Sequence, residues 1–118
     1  MAEAENDTIF GKILRGEIET ELVYEDDDVV AFRDLRPVAP VHILVIPRKH
    51  IVNLLEAGQE DALVLGKLML ASAKIARAEG LEESGYRVVV NNGAGVGQSV
   101  FHLHVHILGG RSFSWPPG

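Results

Sequence analysis

The sequence predicts an α+β fold: a five-stranded antiparallel sheet, one long helix packed on it and a short helix near the N-terminal end. Three observations carry that expectation. Residues 60–79 repeat apolar positions at helical spacing. Shorter apolar runs are separated by Gly, Pro and acidic turns, as strands are. The last run, Phe101-His102-Leu103-His104-Val105-His106-Ile107, alternates with period two, so its three histidines share one face.

Asp7 or Thr8 can cap a helix over 9–16, with apolar residues at 9, 10, 13 and 14 and Gly16 to close it. Residues 21–24 and 29–32 read as a hairpin around the acidic turn Glu25–Asp28. That turn lacks the glycine and spaced ligands of a calcium loop, so a solvated turn is expected. Leu35–Pro40 is a Pro-bounded connection to a near-continuous apolar strand, 42–46, which Pro47 stops. On the long helix, Leu65, Leu68, Met69, Ser72, Ile75 and Ala76 form one face, and Gly80 stands where the helix ends. Leu63, Val64 and Leu70 widen that face beyond what one sheet can cover, which predicts a second subunit on it. Residues 86–90 form a fourth strand, and the histidine run forms the fifth, ended by Gly109-Gly110. Trp115-Pro116-Pro117-Gly118 predicts an extended tail, because adjacent prolines neither continue a helix nor donate to a ladder.

The chain has 118 residues, enough for one domain with a single core, expected over 7–118, with residues 1–6 disordered. A net charge of -6 argues against broad binding to nucleic acid. With no cysteine there is no thiolate chemistry and no disulfide framework, in keeping with a cytoplasmic protein. No apolar run reaches the ~18 residues of a membrane span, and the first residues are too polar for a signal peptide.

In the histidine run, Phe101, Leu103, Val105 and Ile107 are expected in the core, with His102, His104 and His106 presented together. Three histidines in succession are unusual on a merely solvated face, where Thr, Lys and Glu are the common residues. Before them come Gly93, Gly95 and Gly97, then Ser99. Such a loop can turn backbone N–H groups toward one anion, with a hydroxyl as a further donor. A neutral imidazole can attack phosphorus through one nitrogen if the proton on the other is held by an acceptor. These parts together point to phosphoryl or nucleotidyl transfer, and no acidic pair for Mg²⁺ accompanies them. The rival chemistry is zinc, bound by a His-x-His pair with His42 or His50 as third ligand. His102 and His106 lie too far apart along the strand for all three to hold one ion, so no metal is expected.

The run His102–Leu108 resembles the H-φ-H-φ-H-φ-φ motif of the histidine-triad (HIT) superfamily. The stretches 7–13, 42–50 and 97–100 and the ending Trp115-Pro116-Pro117-Gly118 are similar to its Hint branch, the nucleoside phosphoramidases. The resemblance spans nearly the whole chain from Asp7. It implies a homodimer that joins the two sheets and cleaves P–N bonds of purine nucleoside phosphoramidates without cofactor or metal. His104 resembles the nucleophile, supported by His42, His102 and His106. Asn91, Gly97, Gln98 and Ser99 match the loop for ribose and α-phosphate, and Asp34 matches the carboxylate that holds the ribose hydroxyls. Ile9, Phe10, Ile13, Phe32 and Leu35 match the apolar cleft for the purine. The family pattern also implies that Trp115 reaches the partner's site near the leaving group. Residues 92–96 depart from the more acidic loop of animal members, which bears on leaving-group preference. Two other readings share these residues: a purine nucleotide sensor with little turnover, and a dinucleoside polyphosphate hydrolase, against which the tail speaks.

Overall fold

The computed structural model describes residues 6–118, so the disorder expected of residues 1–5 lies outside the described residues. Thr8 starts the first element: its hydroxyl accepts the Gly11 N–H at 3.0 Å, and α1 runs Ile9–Leu14. The hairpin β1 (Leu22–Glu25) and β2 (Val29–Arg33) follows. Its acidic turn is tied by Asp26, whose Oδ1 accepts the N–H groups of Asp28 and Val29, each at 2.8 Å. Next come β3 (Val41–Pro47), α2 (Ala62–Ala78), β4 (Arg87–Val89) and β5 (Val105–Gly109). The strands order as β1-β2-β3-β5-β4, every neighbour antiparallel, which is the predicted sheet with β5 inserted between β3 and β4.

Both faces of the sheet are covered. On one, Leu68, Ala71 and Ile75 of α2 pack on Val29, Ala31, Ile43, Val45, Val105 and Ile107. On the other, Phe10 of α1 packs with Val30, Phe32, Leu44 and Ile46. This double cover is why β2 and β3 read as unbroken apolar runs rather than alternating ones. His42 belongs to the α1 face, since it alternates with Ile43 and shares its side with Leu44. The register pairs Leu44 with His106, so His42 and His106 meet diagonally across β3 and β5 on that same face.

The histidine run departs from the prediction at its first half. Regular pairing starts only at Val105, opposite Val45. Two residues further, the partner strand has reached Pro47, which has no N–H to give a ladder. Residues 100–104 therefore leave the sheet, although Leu103 still enters the core and its N–H reaches Ile51 O at 2.6 Å. Phe101, expected in the core, is 46% exposed.

The long helix is also shorter and less covered than expected. Gln59–Asp61 form a 3₁₀ turn ahead of it, where the Asp61 carboxylate accepts the Gly58 N–H at 3.0 Å and pairs with Lys49 at 2.5 Å. Met69, placed by periodicity on the sheet-facing side, is exposed, whereas Leu63 and Leu70, expected beyond the reach of the sheet, are exposed in the single chain as that expectation requires. The tail is anchored at Phe113, whose ring lies under the guanidinium groups of Arg111 and Arg87 at 4.2 and 5.2 Å. Trp115, just beyond, is 80% exposed in the single chain.

Candidate active site

Between α1, the segment 18–21, the end of β2 and the histidine run lies a cavity of about 750 Å³. The five apolar residues predicted for the purine cleft, Ile9, Phe10, Ile13, Phe32 and Leu35, all line it. So do Asp34, Gly97, Ser99, His104 and His106. Phe10 joins wall to chemistry: its ring meets Phe32 edge-on at 5.4 Å and His104 edge-on at 5.0 Å.

The polar floor is two hydrogen-bonded chains whose proton positions follow from their fixed ends. In the first, the Val38 N–H donates to His42 Nδ1 at 3.1 Å. The His42 proton then sits on Nε2, which faces His106 Nδ1 at 2.9 Å. His106 in turn carries its proton on Nε2, a buried atom without a partner among the described residues. That orphan donor at a cavity wall is the group an anionic ligand would satisfy. In the second chain, His102 Nε2 donates to the Pro47 carbonyl at 2.8 Å, and His104 Nδ1 donates to the His102 carbonyl at 2.8 Å. His104 therefore keeps its Nε2 lone pair unprotonated at the cavity.

Burial keeps the three rings of the histidine run neutral. His102 is fully buried, and desolvation pushes it down to about 4. His106 is pushed down to about 4 by burial and by the neighbouring His104 and His42. His104 is lowered chiefly by burial, opposed by its bond to the His102 carbonyl and by the Asp34 charge. At neutral pH the cavity thus presents a neutral imidazole with its Nε2 lone pair free, His104, beside a neutral Nε2–H donor, His106.

Other predicted residues sit elsewhere. His42 and His102 lie behind the cavity rather than on it, and act through His106 and His104. The side chain of Gln98 is spent on its own loop: Oε1 accepts the Gly93 N–H at 2.8 Å, and Nε2 donates to Val52 O at 2.7 Å. Asn91 stands against Gly97, where an added Cβ would meet its Nδ2 at 3.5 Å. The glycine loop is a correction to the expected nest. Gly97 adopts φ 108°, but its N–H closes a turn onto Ala94 O at 3.2 Å, and the Gln98 N–H returns to Gly93 O. Ser99 is the loop residue left exposed at the cavity with its donors unengaged among the described residues. Trp115 does not enter its own subunit's cleft.

The zinc reading meets a specific obstacle. Asp34, His42 and His106 offer ligand atoms within 4.8 Å of one another. Yet the Val38 N–H on His42 Nδ1 puts the His42 proton on Nε2, where an ion would need a lone pair. His50, the other suggested ligand, stacks on His102 at 5.2 Å and faces the Phe101 carbonyl. The donor set does not fit an ion in this arrangement.

Sequence reasoning missed part of the wall: Ile18, Glu19, Thr20 and Arg36 line the cavity from segments that carry no motif, and Val100 lines it from the stretch 97–100 without having been given a role. It also missed Val38, whose signal is a backbone N–H and so is invisible in side-chain patterns.

A five-stranded α+β fold with three alternating histidines gathered at the floor of an apolar cleft is that of a histidine-triad protein. The HIT domain family matches residues 15–113, and the chain belongs to that family. It is 61% identical over 112 residues to a HIT-like protein of Synechococcus elongatus, covering 95% of this chain and 97% of that one. It is 50% identical over 114 residues to a 14 kDa zinc-binding protein of Brassica juncea, covering 95% and 100%. A crystal structure of a HIT family hydrolase from Legionella pneumophila superposes with a TM-score of 0.92 at 47% identity, covering 95% of this chain and 100% of that one.

Proposed function

We propose that this chain is a purine nucleoside phosphoramidate hydrolase of the Hint type, working through a nucleotidyl-histidine intermediate. The observation that carries the reading is His104 itself: Nδ1–H held by the His102 carbonyl, Nε2 free, at an apolar cleft sized for a nucleoside. The resemblance to the HIT family hydrolase of Legionella pneumophila supports hydrolysis.

The purine lies between Ile9, Phe10, Ile13 and Phe32, with Leu35 at the rim. Asp34 holds the ribose hydroxyls with the lone pairs left on its two oxygens, of which Oδ1 takes the Arg36 N–H at 2.7 Å and Oδ2 faces His42 Nε2 at 3.5 Å. Ser99 and His106 Nε2–H donate to the phosphate. His104 Nε2 attacks phosphorus, forming a new P–N bond to the ring. The bond to the leaving amine breaks with its electron pair on that nitrogen, which takes up one proton. Water then attacks phosphorus and displaces His104, giving the monophosphate and returning one proton. The cycle needs no metal or cofactor.

One assay separates the readings. A fluorogenic adenosine phosphoramidate is offered to the full chain with chelator present, beside its 2′-deoxy analogue and a dinucleoside polyphosphate. Expected are turnover undiminished by chelator, weaker turnover of the deoxy analogue, and little cleavage of the polyphosphate. Preferred cleavage of the polyphosphate would move the chain to that other activity. Tight binding of the monophosphate without turnover would make it a sensor.

The working unit proposed is a homodimer through α2 and the open edge of β4. Leu63, Met69 and Leu70 on α2, and Tyr86 beside β4, are exposed apolar groups that a second copy would cover. Trp115 would then reach the partner's site, since burying so large an aromatic is worth about 2–3 kcal/mol by area. Deleting 112–118 should change the preference among leaving amines and leave monophosphate affinity unaltered. Sedimentation should show a dimer with or without the tail. A monomeric full chain, or an unchanged amine preference, would remove the respective half of the proposal.

A further inference from the structure

We infer that Asn6 is a positioning residue for the histidine triad, its amide N–H holding the ring of His102 and, through it, the nucleophile His104. The kinetic part of this inference rests on the phosphoramidase reading. The sequence places Asn6 in an expected disordered segment, and no motif includes it. In the structure its side-chain oxygen, its side-chain nitrogen and its carbonyl are all hydrogen-bonded.

Its amide orientation is set by its neighbours. Oδ1 accepts from the Thr8 N–H at 3.1 Å and from the Thr8 hydroxyl at 2.7 Å. Two donors on Oδ1 turn Nδ2 toward His102, whose Nδ1 it meets at 2.9 Å. Nδ1 must then be the acceptor, so the proton of His102 resides on Nε2, where the Pro47 carbonyl takes it at 2.8 Å. The neutral ring is thereby clamped between two fixed partners. The carbonyl of the same residue holds His104 Nδ1–H, so rotation of His102 would move the acceptor that keeps the attacking nitrogen free.

Asn6 also couples the chemistry to the cleft. The Thr8 hydroxyl that donates to Asn6 accepts the Gly11 N–H at the start of α1, the helix that carries Ile9, Phe10 and Ile13. The Asn6 carbonyl takes a bond from Arg15 Nη1 at 2.6 Å. Gly11 leaves the room for this, since a Cβ there would overlap the Asn6 side chain and carbonyl. The cleft helix and the buried histidine thus share one asparagine.

The test uses the full chain with Asn6→Asp and Asn6→Ala. Aspartate keeps the acceptor for Thr8 but offers His102 Nδ1 a carboxylate instead of a donor. His102 should then take a second proton at higher pH than in the parent. The titratable groups facing it are the stacked His50 and His104, and neither changes. Ring ¹⁵N signals of His102 should show the Nε2–H form throughout pH 5–8 in the parent and a cationic ring at the acid end in Asn6→Asp. In Asn6→Ala the Pro47 carbonyl should keep the Nε2–H form, while the Nδ1 signal moves with the loss of its donor. In Asn6→Asp, kcat should fall about three- to tenfold as pH drops through that titration, with KM unchanged, because a cation beside His104 opposes its positively charged intermediate. Unchanged His102 signals in Asn6→Asp would overturn the contact. Shifted signals with a parental kcat profile would overturn the role in the reaction. A parent chain that cleaves no P–N bond would overturn the kinetic role together with the functional reading, while the ring signals still decide the contact.

Discussion

His104→Ala should lower kcat by ~10³-fold or more while leaving nucleoside monophosphate affinity within about tenfold of the parent. The asymmetry follows from the layout. In the proposed complex the purine and ribose would be held by α1, β2 and Asp34, which the substitution leaves in place apart from the edge contact between Phe10 and the His104 ring. What is lost is the one imidazole nitrogen that is both unprotonated and at the cavity. No neighbour can replace it: His102 is buried with both ring nitrogens bonded, and His106 uses Nδ1 on His42 and carries its proton on Nε2. A rapid quench of the parent should trap a nucleotidyl adduct on His104. Turnover near the parental rate in His104→Ala would end the covalent mechanism.

Acid should destabilise the fold well above the range in which carboxylates titrate. His102 titrates at about 4 when folded, against 6.5 for the ordinary group. A base whose folded pKa is depressed is neutral in both states above the unfolded value, so its environment costs nothing there. As pH falls below 6.5 the unfolded chain takes up a proton that the folded chain refuses, and stability drops until the folded ring titrates near 4. For this fully buried ring the loss amounts to about 3 kcal/mol, a large share of a small domain's stability. His106, also at about 4, acts in the same direction and window. The carboxyls act elsewhere. Asp26 and Asp61 are held below 3.8 by hydrogen bonds from Tyr24 and from Lys49, so their contributions are lost only at more acid pH. Urea unfolding at pH 7 and at pH 4.5 should show the midpoint falling between them. Equal midpoints would mean that His102 and His106 are solvated in the native state.

The α+β class, all five strands and the five apolar residues of the cleft were legible in the order of residues, because each rests on local periodicity or on a motif. Period two puts His102, His104 and His106 on one side of their segment whether or not that segment is a regular strand, and they do cluster. Periodicity does not say where a ladder ends. Pro47 on the neighbouring strand decided that, so the run bends at 100–102, pairs only from Val105 and leaves Phe101 in water. Glycine spacing suggests a nest, but only the folded loop shows that the Gly97 N–H is already used and that Gln98 is the loop's internal brace. Proton positions were equally out of reach. Which nitrogen of His104 is left free depends on the His102 carbonyl, and which nitrogen of His106 carries the proton depends on a backbone N–H at Val38, through His42. Asn6 is the sharpest case: a polar residue beside an acidic end has no local reason to be ordered. It becomes ordered because Gly11 leaves room for it and His102, 96 positions away, needs a donor. Residue order determined which side chains share a face. Contacts between distant segments decided which of their atoms carry protons and which remain free to react.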